Sequence, residues 1–60
     1  MKSYRVGQRL QFRSDDFDKV WTELCTVTEV HHDYCIAVSD DEITFYIDED
    51  TEFQFQEVTR

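Results

Sequence analysis

His31, His32 and Cys35 put two imidazoles and a thiol close together, and imidazole nitrogen with thiolate sulfur is the usual donor set for zinc. Neighbouring histidines in a strand or tight turn point apart, and no second Cys or His pair stands at zinc-finger spacing, so the three residues read as an exposed turn without a metal. The run Asp48, Glu49, Asp50, Thr51, Glu52 offers oxygen donors but lacks the glycine and ligand periodicity of a calcium-binding loop. Catalysis finds no support. There is no GxSxG turn, no glycine loop to cradle phosphate and no histidine paired with a nucleophile. Without a predictable pocket to desolvate one of the many acids, no general acid can be nominated. The chain is therefore expected to be non-enzymatic, with no metal and no cofactor.

Charge is the strongest compositional feature: 14 acids against 6 Lys and Arg give a formal charge of -8. It is unevenly spread. Residues 1–13 hold Lys2, Arg5, Arg9 and Arg13 and no acid, whereas residues 31–60 hold nine acids against Arg60 alone. Such a surface repels phosphate backbones and anionic lipid, so a basic protein surface is the expected partner, and nucleic acid and membrane are disfavoured. The same charge also keeps a small protein in solution.

The 60 residues are expected to form one domain, too small to bury a deep cleft. No stretch approaches the roughly 18 apolar residues of a membrane span, and MKSYRVGQRLQF has no apolar signal-peptide core. The expected location is cytoplasmic, as a complete small protein. Cys25 and Cys35 fit it as reduced, structural thiols: a hairpin turning at His31, His32 and Asp33 puts Cys25 opposite a position near residue 39, so the thiols do not face each other.

The elements that must position these residues are mostly strands. Apolar residues alternate at Leu10 and Phe12, at Tyr34, Ile36 and Val38, at Ile43, Phe45 and Ile47, and at Phe53 and Phe55. CTVTEVH, rich in β-branched residues, makes a fifth strand, joined to its neighbours by turns at HHD, SDDE and DEDT. Residues 15–24 break the alternation. Phe17, Val20, Trp21 and Leu24 fall at i, i+3, i+4 and i+7, Ser14 can cap, and Asp15, Asp16 and Asp18 suit a helix N-terminus, which predicts one or two helical turns. The alternative is a long loop, with Trp21 opening the second strand.

The order of parts resembles an SH3-like small barrel of the KOW or Tudor type, over about residues 4–56. YRVGQRLQF is similar to the opening strand of such domains, with its glycine turn, and WTELCTVTEV and YCIAVSDDEITFYI resemble the second to fourth strands. The resemblance implies a mainly β, five-stranded antiparallel barrel or meander. Tudor domains hold methylated lysine or arginine in an aromatic cage; Trp21 matches the aromatic at the start of the second strand, but Ala37 to Asp41 supply no ring where the other cage positions fall. For KOW-type nucleic-acid binding, Arg5, Arg9 and Arg13 are the residues to test.

In a meander the acids gather at two poles. Asp15, Asp16 and Asp18 join Asp40, Asp41 and Glu42 at one; Asp33, Asp48, Glu49, Asp50 and Glu52 meet His31 and His32 at the other, roughly 20 Å away. The acids flanking ITFYI read first as gatekeepers against edge pairing and second as a contact surface. The expected partner-binding set is Asp40, Asp41, Glu42, Asp48, Glu49, Asp50 and Glu52, with Tyr46 or Trp21 as aromatic anchor. The leading expectation is a binding protein that occupies a basic, nucleic-acid-binding surface of a partner, as a phage-type or host-encoded inhibitor would. The alternatives are a small-ligand or modified-residue reader using Trp21, Tyr34 and Tyr46, and a structural subunit that pairs through a β edge.

Overall fold

Period-2 alternation becomes pleated strand along most of the chain. The computed structural model describes residues 3–58, and Lys2 and Arg60 lie outside them. The strands are β1 (Arg9–Asp16), β2 (Lys19–Val30), β3 (Cys35–Ser39), β4 (Thr44–Ile47) and β5 (Phe55–Glu57), with a single 3₁₀ turn, Glu52–Gln54, before β5. All pairings are antiparallel, in the order β4-β3-β2-β1-β5. The first four strands form a meander. The fifth does not continue it but returns to β1, aligning Phe12 with Phe55.

The sheet is not closed into a barrel: β4 and β5 are both edges. It nevertheless curls around its apolar face, because Phe45 on β4 meets Phe55 on β5 edge to face, with ring centroids 5.6 Å apart. Phe12 completes a triangle of rings with them, 4.5 Å from Phe45 and 5.2 Å from Phe55. Leu10, Cys25, Val27, Cys35, Ala37 and Ile47 complete the buried core, and Tyr4 packs against it. Phe53, expected to alternate inward with Phe55, stands exposed on the 3₁₀ turn, where the strand period does not apply.

The helix expected at residues 15–24 does not form. β1 runs to Asp16 and β2 starts at Lys19, so the segment is a hairpin whose loop is only Phe17 and Asp18, and Trp21 is the third residue of β2 rather than its start. Helical spacing there is accidental: Phe17, Val20, Trp21 and Leu24 are all more than a third exposed, and the pleat sends Trp21 inward onto Phe12 but Val20 and Leu24 to the outer face, so no single core contact gathers them on a helical turn.

Two turns are held by side chains. The Ser39 hydroxyl, buried at the end of β3, accepts from the amides of Asp41 (3.1 Å) and Ile43 (2.9 Å). Asp48 Oδ1 accepts from the amides of Asp50 (2.9 Å) and Thr51 (3.2 Å), and Thr51 Oγ1 in turn accepts from the Asp48 amide (3.0 Å). Both patterns are the local side-chain bonds that make Ser, Thr and Asp turn residues. Cys25 aligns with Ser39 and Cys35 with Val30 and Ile47, so the two thiols are free, buried and not opposite each other, as the turn at residues 31–33 implies.

Candidate functional site

A bulge decides which side chains reach the outer face. Val27 aligns with Ala37, but Glu29 aligns with Ile36, so Thr28 is an extra residue in β2. Without it Glu29 would share the inner face with Val27. With it the pleat changes phase, and Glu29 and His31 join Tyr34, Ile36 and Tyr46 outside. The tight turn, closed by a hydrogen bond from the His31 amide to the Tyr34 carbonyl (2.8 Å), then brings those two rings together.

The result is a ladder of three rings. His31 stacks on Tyr34 at 4.5 Å and Tyr34 on Tyr46 at 4.7 Å, with interplanar angles of 17° and 15°. The His31 Nε2 lies 2.9 Å from a Glu29 carboxylate oxygen, which fixes the end of the ladder. Beside Tyr46 opens a concavity of about 380 Å³ lined by His32, Asp33, Tyr46, Asp48, Glu49 and Asp50. Four carboxylates thus surround one tyrosine that remains 54% exposed. Burial, and then the charges of Asp33 and Asp48, push the Tyr46 hydroxyl pKa above its ordinary value. A negative hollow with an aromatic wall attracts cations by charge and by the ring quadrupole together.

The other expected contact residues are placed differently. Asp40 is committed within the fold: its carboxylate takes a bidentate pair of bonds from Arg9 (2.9 and 3.0 Å), which also donates to Thr26 (2.7 Å). That guanidinium holds the Asp40 carboxyl below the usual carboxylate range and raises the pKa of Arg9. Asp41 and Glu42 lie in the same turn, Glu42 at φ 66°. Glu52 sits on the 3₁₀ turn, outside the concavity, where its charge adds to the burial that raises the pKa of Tyr4 and of Cys35.

The first expected pole is divided. The Asp40 amide bonds the Leu24 carbonyl, whereas Asp15 aligns with Val20, four residues further along β2 and so about 13 Å away. Trp21 also parts company with Tyr46. It shares the inner face with Cys25, its ring edge-on to Phe12 at 5.5 Å and its Nε1 donating to Glu23 (2.7 Å), while Tyr46 is outside. The two rings cannot wall one cage, and Tyr34 and Tyr46 cover each other's faces instead of opening around a guest. Arg13 reaches Asp15 at 3.4 Å, so two of the three arginines considered for nucleic acid face carboxylates.

Among the described residues no group of three or more His, Cys, Asp or Glu is placed to hold a metal ion. Sequence reasoning missed the ring ladder, although its signal was present in the shift of the apolar phase from Cys25 and Val27 to Val30. Fold and surface together define a small all-β domain with an acidic, aromatic concavity on one outer corner. Comparison with family models, with curated proteins and with solved structures gives no significant match to the chain.

Proposed function

We propose that this chain is a small cytoplasmic, non-enzymatic protein-binding module that covers a basic, nucleic-acid-binding surface on a partner protein, as a phage-type or host-encoded inhibitor does. The observation that carries the reading is the hollow in which Asp33, Asp48, Glu49 and Asp50 surround the exposed Tyr46 ring. A lysine or arginine from the partner enters it, with the carboxylates steering association and the ring supplying a desolvated contact. The pairing of Arg9 and Arg13 with carboxylates favours this reading over direct nucleic-acid binding. A finer fold assignment accompanies it: the return of β5 to β1 after a 3₁₀ turn supports an SH3-like sheet with an open seam.

The test is a pulldown from the lysate of the source organism at low and high salt, followed by titration of the recovered partner with the native chain and with Asp48→Asn, Glu49→Gln, Asp50→Asn combined. The expected outcome is salt-sensitive binding, weakened about tenfold or more by the triple change, and displacement of nucleic acid from the partner. Binding that ignores both salt and the triple change defeats the electrostatic reading.

A further inference from the structure

The β1–β2 hairpin extends beyond the rest of the sheet. β3 ends opposite Cys25, and β5 reaches no further along β1 than Phe12. From Arg13 to Glu23 the two strands therefore pair only with each other, and the molecule is elongated, 35 × 23 × 22 Å. At the apex stands Phe17, fully exposed, at φ 48°. A left-handed backbone is the province of Gly, Asn and Asp in such two-residue loops, because a Cβ crowds the carbonyl there. Phe17 thus combines an unfavourable backbone with a ring given wholly to water. Neither feature serves the fold: the ring is in no aromatic pair, and glycine or asparagine would relieve both. A strained residue that the fold does not need points to function.

We propose that Phe17 is the anchor of a second contact, a wedge inserted by the projecting hairpin into an apolar pocket with a basic rim on a partner protein. Charge complementarity selects this occupant. Asp16 and Asp18 flank the ring in sequence; Asp15 is held by Arg13 and Lys19 aligns with Asp16, so three acids against two cations leave the apex with one net negative charge, which a basic rim matches and an acidic surface does not. Val20 and Leu24, exposed on the outer face of the same ribbon, extend the apolar contact behind the apex, and aromatic anchors of this kind dominate interface energetics. The wedge rests on the chain being a protein-binding module, but not on the Tyr46 concavity.

The test uses the whole chain with a photo-reactive benzoylphenylalanine at position 17, expressed in the source organism, and a control with the same probe at exposed Phe53. The cross-linked protein is identified, produced pure and titrated with the native chain, Phe17→Asn and Phe17→Tyr, each also melted alone. We expect an adduct from position 17 and not from 53. Phe17→Asn should bind at least about thirtyfold more weakly while its Tm is unchanged or raised, and Phe17→Tyr should bind like the native chain. Three results overturn the wedge: no adduct from position 17, equal affinity of Phe17→Asn and the native chain, or a lowered Tm for Phe17→Asn that reveals a packing role. If Phe17→Asn binds normally while the Asp48, Glu49, Asp50 variant fails, the wedge falls and the concavity stands. The reverse pattern separates them the other way.

Discussion

Asp48 serves the fold and the proposed contact surface at once, and two substitutions separate these roles. Its Oδ1 accepts from the Asp50 amide, the Thr51 amide and the Thr51 hydroxyl at 2.9, 3.2 and 3.3 Å. Asp48→Ala removes the acceptor; the Thr51 amide keeps the Asp48 carbonyl and the Thr51 hydroxyl the Tyr46 carbonyl, both at 3.2 Å, so the Asp50 amide is the donor left to water. With one typical bond lost outright, the cost is about 0.5–1.5 kcal/mol. In a domain of this size each kcal/mol moves Tm by roughly 4–8 °C, so Asp48→Ala should melt about 2–12 °C below the native chain by circular dichroism. Asp48→Asn keeps a carbonyl oxygen in the same place and should lose less than half of that. Partner binding should order them differently, because both variants lose the charge and should bind weakly alike. Equal melting temperatures for Asn and Ala would refute the turn-holding role, and native-like affinity for Asp48→Asn would remove this residue from the contact.

Ile47 is fully buried, and Ile47→Ala should destabilise by about 2–5 kcal/mol against a total near 3–9 kcal/mol for sixty residues, leaving little or no cooperative urea transition. Burial raises the pKa of both thiols, so Cys25 and Cys35 should resist a thiol reagent at pH 8 until denaturant is added; rapid native labelling would contradict the packing. Because the folded thiol values lie above the ordinary 9.0, stability is undiminished below that pH and should fall as pH rises past it. Asp40 behaves oppositely: its folded pKa is depressed, so the stability difference between the native chain and Asp40→Asn should be present above about pH 3.8 and vanish as pH falls through the lower folded value, followed by urea titration at successive pH. Asp41→Asn with Glu42→Gln should raise self-association in sedimentation at high concentration while leaving partner affinity unchanged.

Where alternation and turn chemistry agree, the fold was legible. Leu10 and Phe12, the Ser39 and Asp48 turns and the offset of Cys25 from Cys35 all follow from a period of two interrupted by short polar loops. The hairpin at residues 15–24 was not, because Phe17, Val20 and Leu24 face solvent and Trp21 alone turns inward, whereas a periodicity argument assumes that apolar residues share one core-facing side. The return of β5 to β1 follows from the barrel resemblance but not from the alternation, which fits a plain meander as well. Phe53 and Phe55 alternate as a fourth-strand neighbour would, and only the 3₁₀ turn that turns Phe53 outward redirects the chain. The concavity was half legible. Its acids were expected together from the turns at residues 31–33 and 48–51, but the ring ladder depends on the extra residue at Thr28, whose effect is to invert a face rather than to add a recognisable motif.

That inversion also bears on why the acids flank β4. This strand is only four residues long and lies at an edge, the position from which a strand can pair with another chain. Carboxylates at its two ends discourage such pairing wherever they point, so gatekeeping requires charge but no particular geometry. A binding hollow requires more: Asp48, Glu49 and Asp50 must face Tyr46 together with Asp33 from the preceding turn, and that convergence exists at one end of β4 and not at the other. At the other end Asp40 is neutralised by Arg9, which leaves Asp41 and Glu42 as a fence without a ring behind it. The asymmetry between two runs of similar composition is the reason the proposed contact is placed at one run and only gatekeeping at the other.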